Sequence, residues 1–102
     1  MITKYSGNDF QELIKDGVTV VDFFATWCGP CKMLAPEFES LAKNTEGVNF
    51  VTVDIDQHRE LTVSNGVNSV PTIVLFKDGK EISRRTGFAP EVQLSKWIES
   101  EV

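Results

Sequence analysis

Val18-Thr19-Val20-Val21-Asp22-Phe23-Phe24 leads without a break into Ala25-Thr26-Trp27-Cys28-Gly29-Pro30-Cys31-Lys32. The first seven residues are β-branched or aromatic, with Asp22 as the one interruption. Such a run reads as a central strand buried on both faces. Beyond the cysteines, Leu34, Phe38 and Leu41 recur at helical spacing, leaving Glu37, Glu39 and Lys43 for the wet side. The segment is therefore a buried strand that feeds a helix, with both cysteines at the junction. Pro36 falls inside the helical pattern, where it removes a backbone donor and crowds the preceding turn; this predicts a kink.

The flanking sequence extends this unit in both directions. Ile2 to Tyr5 reads as a short first strand. Asn8 is placed to cap a helix, with Gln11 three residues on and Phe10, Leu13 and Ile14 on one face. On the other side, Asn49 to Asp54 reads as a second buried strand and His58 to Ser64 as a short helix closed by Asn65-Gly66. Val70-Pro71-Thr72 precedes a third apolar strand, Ile73 to Phe76. Asp78-Gly79 is a hairpin signal, and Glu81 to Thr86 returns as the partner strand. After Pro90, a last helix aligns Leu94, Trp97 and Ile98 on a core-facing stripe. The order β-α-β-α-β-α-β-β-α gives an α/β fold with a mixed sheet, because strands joined through helices run parallel and a hairpin runs antiparallel.

A chain of 102 residues with 41% hydrophobic residues is expected to be one domain, 1–102, with a real core. Its net charge of −5 argues against nucleic acid as a partner, since phosphate binding needs a basic surface. Arg84-Arg85 reads as a solvated strand face. No apolar run is long enough to span a membrane, and Met1 to Tyr5 lacks a signal-peptide core, so a cytoplasmic location is expected.

The only two cysteines sit three apart. At a helix start this spacing lets them bridge, and unpaired amide groups there favour a thiolate at the first of them. The pattern Cys-X-X-Cys at such a place predicts thiol–disulfide exchange. Cys28, at the exposed helix entrance, is expected to attack a target disulfide; Cys31, one turn in and more buried, to resolve the mixed disulfide. A structural zinc would need about four ligands, and the chain offers no third cysteine and one histidine, His58, read as a surface residue.

Three further positions stand out. Asp22 is either a proton acceptor for Cys31, a hydrogen-bonded structural carboxylate, or a strand-edge residue facing solvent; burial would raise its pKa. Pro71 opens a strand that reads as central, where proline is normally excluded. A cis Val70–Pro71 bond would expose the Val70 backbone to an extended target segment, and a plain trans bond is the alternative. Trp27 is a contact surface or packing, and Gly87 a site of close approach or a turn.

Across nearly its whole length the chain resembles the thioredoxin family. The resemblance rests on Asp22 to Met33, Ala35-Pro36, Asp54-Ile55-Asp56, Val70-Pro71-Thr72, Phe76-Lys77-Asp78-Gly79 and Gly87. It implies a five-stranded mixed sheet flanked by four helices and a general protein disulfide reductase. It also implies Cys28 as nucleophile, Cys31 as resolving thiol, Asp22 as proton-transfer group and a cis bond before Pro71. Trp27, Gly29, Pro30, Val70, Pro71 and Gly87 would line the target surface. Electrons would come from a thioredoxin reductase using NADPH, with no cofactor bound to this chain, which is expected to be a monomer. Many bacterial members carry tryptophan at Phe24 and lysine at Thr52, so Asp22 lacks a familiar cationic neighbour here. Gly29-Pro30 matches the reducing members; oxidising or isomerising relatives often carry histidine between the cysteines, and a third role is that of a subunit in a larger machine.

Overall fold

A computed structural model covers residues 1–102. The elements are β1 (Ile2–Lys4), α1 (Phe10–Ile14), β2 (Val18–Phe24), α2 (Gly29–Asn44), β3 (Val48–Asp54), α3 (Arg59–Ser64), β4 (Thr72–Lys77), β5 (Lys80–Thr86) and α4 (Glu91–Glu101). They form one five-stranded sheet in the order β1-β3-β2-β4-β5. β3 pairs in parallel with both β1 and β2, while β4 runs antiparallel to β2 and to β5. The sheet is mixed, and β2 lies at its centre.

Alternation along β2 assigns its side chains to two cores. Val20 packs with Leu34, Phe38 and Leu41 of α2 and with Leu94 and Ile98 of α4. Val21 and Phe23 pack on the opposite face with Phe10 and Ile14 of α1. Asp22 shares its parity with Val20 and therefore points to the α2 side. Each fully buried leucine or phenylalanine of α2 contributes roughly 1.5–3 kcal/mol through burial. Phe38 meets Phe50 of β3 edge to face at 5.5 Å between ring centroids, which pins α2 on the sheet.

α2 is assigned as one helix through Pro36. Glu37, read as a wet-side residue, is half-buried instead: its carboxylate accepts the Glu91 backbone N–H at 2.7 Å. Ser40 and Asn44 donate to the Glu91 carboxylate, so the start of α4 is tied to α2. The hairpin reading holds. Asp78 and Gly79 both have positive φ, 50° and 86°, as a two-residue turn between the paired Lys77 and Lys80 requires.

Four further readings need correction. The cap of α1 is Asp9, whose side chain accepts the Gln11 N–H at 3.0 Å, not Asn8. The shift is one residue, and both types cap equally well. Asp9→Ala is expected to cost about 1 kcal/mol in urea unfolding and Asn8→Ala close to nothing. Trp97 lies at the margin of its core rather than within it: it is half-buried, donates to Ser83 Oγ at 3.0 Å and lies under the Arg85 guanidinium. Arg84 and Arg85 are half-buried, and Arg84 holds Glu81 and the Asn65 carbonyl. His58 is half-buried too, edge-on to Tyr5 at 4.6 Å.

Candidate active site at the end of the central strand

The two cysteines are joined as a disulfide with Cα atoms 5.2 Å apart. Cys28 is the N-cap of α2, and Pro30 occupies its first turn, where a missing N–H leaves nothing unpaired. The Cys31 backbone N–H donates to Cys28 Sγ at 3.2 Å. The same amide, together with the positive end of α2, would stabilise a thiolate at Cys28. No corresponding donor reaches Cys31 Sγ.

Exposure does not separate the pair as expected. Both cysteines are 5% exposed. Ala25 is buried with them, and Phe24, Ile55 and Val70 pack around the cluster. The two residues differ in the helix-end amide that reaches Cys28 Sγ, and not in overall exposure.

The loops collect the remaining residues singled out in the sequence. The Val70 carbonyl oxygen lies 3.7 Å from Cys28 Sγ, and the Val70–Pro71 bond is cis. The Pro71 carbonyl accepts the Gly87 N–H at 2.9 Å, so β4 and the end of β5 enter the site together. Gly87 has φ 87°, a conformation that side-chain-bearing residues rarely adopt. A Cβ at Gly29 would meet nothing within 4 Å, so internal packing does not demand glycine there. Trp27 is 67% exposed, yet its indole Nε1 donates to Asp56 Oδ2 at 2.9 Å.

Asp56 was missed as a site residue. Asp54 Oδ1 accepts the Asp56 N–H at 2.9 Å and builds the turn that presents Asp56 to the indole. The signal was the Asp-Ile-Asp triplet directly after a strand, since aspartate in that position readily forms such turns.

Asp22 is 4% exposed, and its Oδ1 has no hydrogen-bond partner. Desolvation raises its pKa from 3.8 to about 7. Of the three readings of Asp22, solvent exposure and internal hydrogen bonding of Oδ1 are both excluded. Asp22 and Cys31 line one cavity of about 530 Å³ between β1, β3 and α2. No group of three or more His, Cys, Asp or Glu side chains is arranged for a metal ion.

The thioredoxin family profile matches residues 1–100. The chain belongs to the thioredoxin family. It is 41% identical over 99 residues to thioredoxin from Staphylococcus saprophyticus, covering 96% of this chain and 95% of that one. Identity to thioredoxin from Staphylococcus aureus is 39% over the same length and coverage. A mutant thioredoxin from Halobacterium salinarum superposes with a TM-score of 0.90 at 35% identity, covering 98% of this chain and 89% of that one. Thioredoxin from Malassezia sympodialis gives 0.87 at 34% identity, covering 99% and 90%. The five-stranded mixed sheet with four helices is the thioredoxin fold. Membership and the cysteine pair at disulfide distance make the chain a protein-disulfide oxidoreductase. As in the thioredoxin family generally, its counterparts are disulfide-containing proteins and a reductase. No helix is long and apolar enough to cross a membrane.

Proposed function

We propose that residues 1–102 act as one domain that reduces target disulfides, with unequal roles for the two cysteines. The observation that carries this reading is the Cys31 N–H held 3.2 Å from Cys28 Sγ. In the reduced protein that amide favours a Cys28 thiolate. The thiolate attacks one sulfur of the target disulfide, forming a Cys28–target mixed disulfide and releasing a thiolate that takes up a proton. Cys31 then loses its proton and attacks Cys28 Sγ. The Cys28–Cys31 disulfide forms and the second target thiol leaves, so two electrons pass to the target.

Asp22 is the acceptor for the Cys31 proton in this reading. Burial raises its pKa to about 7, which suits proton transfer near neutral pH, and the cavity it shares with Cys31 offers a route through solvent. Trp27, Gly29, Pro30, Val70, Pro71 and Gly87 form the surface on which an extended target segment lies. The Val70 backbone is the natural partner for its main chain, because the carbonyl lies next to Cys28 Sγ. Regeneration draws on NADPH through a thioredoxin reductase, and the protein works as a cytoplasmic monomer.

Trapping tests the role assignment. Cys31→Ser incubated with disulfide-containing proteins is expected to accumulate mixed disulfides through Cys28, visible on non-reducing gels. Cys28→Ser should accumulate none. Equal trapping by both variants would refute the assignment, and a strongly oxidising equilibrium against glutathione would refute reduction as the direction.

A further inference from the structure

The cavity of about 530 Å³ beside Asp22, which also carries the proposed proton route from Cys31, has further wall chemistry that proton transfer leaves unused. Ile2, Phe24, Ala35, Phe38 and Ala42 supply apolar wall. Asp22 lines it as a buried carboxylate whose Oδ1 has no partner. The exposed side chains of Lys4, Lys43 and Glu39 also line it, as does Met1 with its α-amino group, so cationic groups outnumber the one carboxylate at the rim. Trp27, Val70, Pro71 and Gly87 take no part in the lining, so the cavity is separate from the proposed target surface.

An unpartnered carboxylate in an apolar wall is costly, and a charged hydrogen-bond donor brought to it offsets that cost. The volume lies within the range of small-molecule sites, about 300–1,000 Å³. A second cationic end on the ligand would meet Lys4 and Lys43; an anionic end would be attracted to them. We propose that this cavity binds a small amphipathic amino acid of extended shape, with its ammonium on Asp22, its apolar body along Ile2, Phe24 and Phe38, and its carboxylate at Lys4 and Lys43. This site stands on the cavity and its charges and does not depend on the redox roles assigned above.

The test uses 4-(aminomethyl)benzoate as probe and the oxidised protein at about pH 8, above the value of about 7 to which burial raises Asp22. The other charged or titratable groups lining the cavity are Met1, which carries the α-amino group, Lys4 of β1, and Glu39 and Lys43 of α2; Cys31 is held in the disulfide, and β3 contributes only Thr52. Amide chemical shifts should move at Ile2, Ala35, Phe38 and Thr52. The probe should bind at least about tenfold more tightly than 4-methylbenzoate, which lacks the ammonium. Asp22→Asn should erase that preference. Ala35→Phe, at an exposed position of the wall, should block binding while leaving the carboxylate in place. Benzylamine, which lacks the acidic tail, should bind more weakly than the probe. Equal affinity for probe and 4-methylbenzoate, an unchanged preference in Asp22→Asn, tighter binding of benzylamine, or shifts centred on Trp27 and Val70 would overturn the proposal.

Discussion

Cys28→Ser is expected to lose at least about a thousandfold in the rate of disulfide reduction while keeping its fold. The loss is chemical. A serine hydroxyl remains protonated near neutral pH, so the amide of Cys31 and the end of α2 have no anion to stabilise. Nor can an oxygen form the mixed disulfide from which the second step proceeds. The structural effect is small, because Sγ and a hydroxyl have similar reach and the helix keeps an N-cap; serine is itself a good one. Reduction of insulin disulfides followed by turbidity measures the rate, and far-ultraviolet circular dichroism checks the fold. A residual rate within tenfold of the parent protein would mean that Cys28 is not the nucleophile.

Asp22→Asn is expected to make the oxidised protein more stable at alkaline pH. The folded pKa lies above the unfolded one, at about 7 against 3.8. Below pH 3.8 the carboxyl is neutral in both states, and its contribution is most favourable. As pH rises towards about 7 the unfolded chain releases its proton first, so stability falls across that window and levels off above it. The full difference corresponds to about 4 kcal/mol, because the group is buried and solvent screens it little. The asparagine amide is also unpartnered, so a gain of about 2–4 kcal/mol is expected at pH 8, shrinking towards zero near pH 4. Urea unfolding at both pH values checks it. A gain independent of pH would show that Asp22 titrates normally. Turnover should fall in the same variant, since an amide accepts no proton from Cys31. Higher stability with slower turnover would place Asp22 among residues kept for function at a cost to the fold.

Periodicity exposed most of the architecture. The run Val18 to Phe24 coincides with β2, the central strand. Asp78-Gly79 marked its turn because only a few residue types accept positive φ. The misplacements were local. Asn8 and Asp9 have the same capping chemistry, and only the backbone path decides which oxygen meets the Gln11 amide. Helical spacing reveals a face but not what neighbouring elements bring to it: the start of α4 for Glu37, and β5 for Trp97.

At the site, the cysteines and their chemistry were legible from spacing, since a strand-to-helix junction puts the first of them on free amides. The sequence by itself determined the pair, its placement and the presence of a carboxyl group at Asp22 within the central strand. Tertiary structure decided what those residues meet. It left Cys28 as buried as Cys31, brought Val70 of a distant loop to Cys28 Sγ, and set Asp56 against Trp27. It also opened the cavity that Asp22 shares with Cys31. Spacing along a chain specifies only contacts within a turn or two of helix. Burial, an unpartnered oxygen and a cavity arise from elements far apart in sequence that pack on the same face of the sheet.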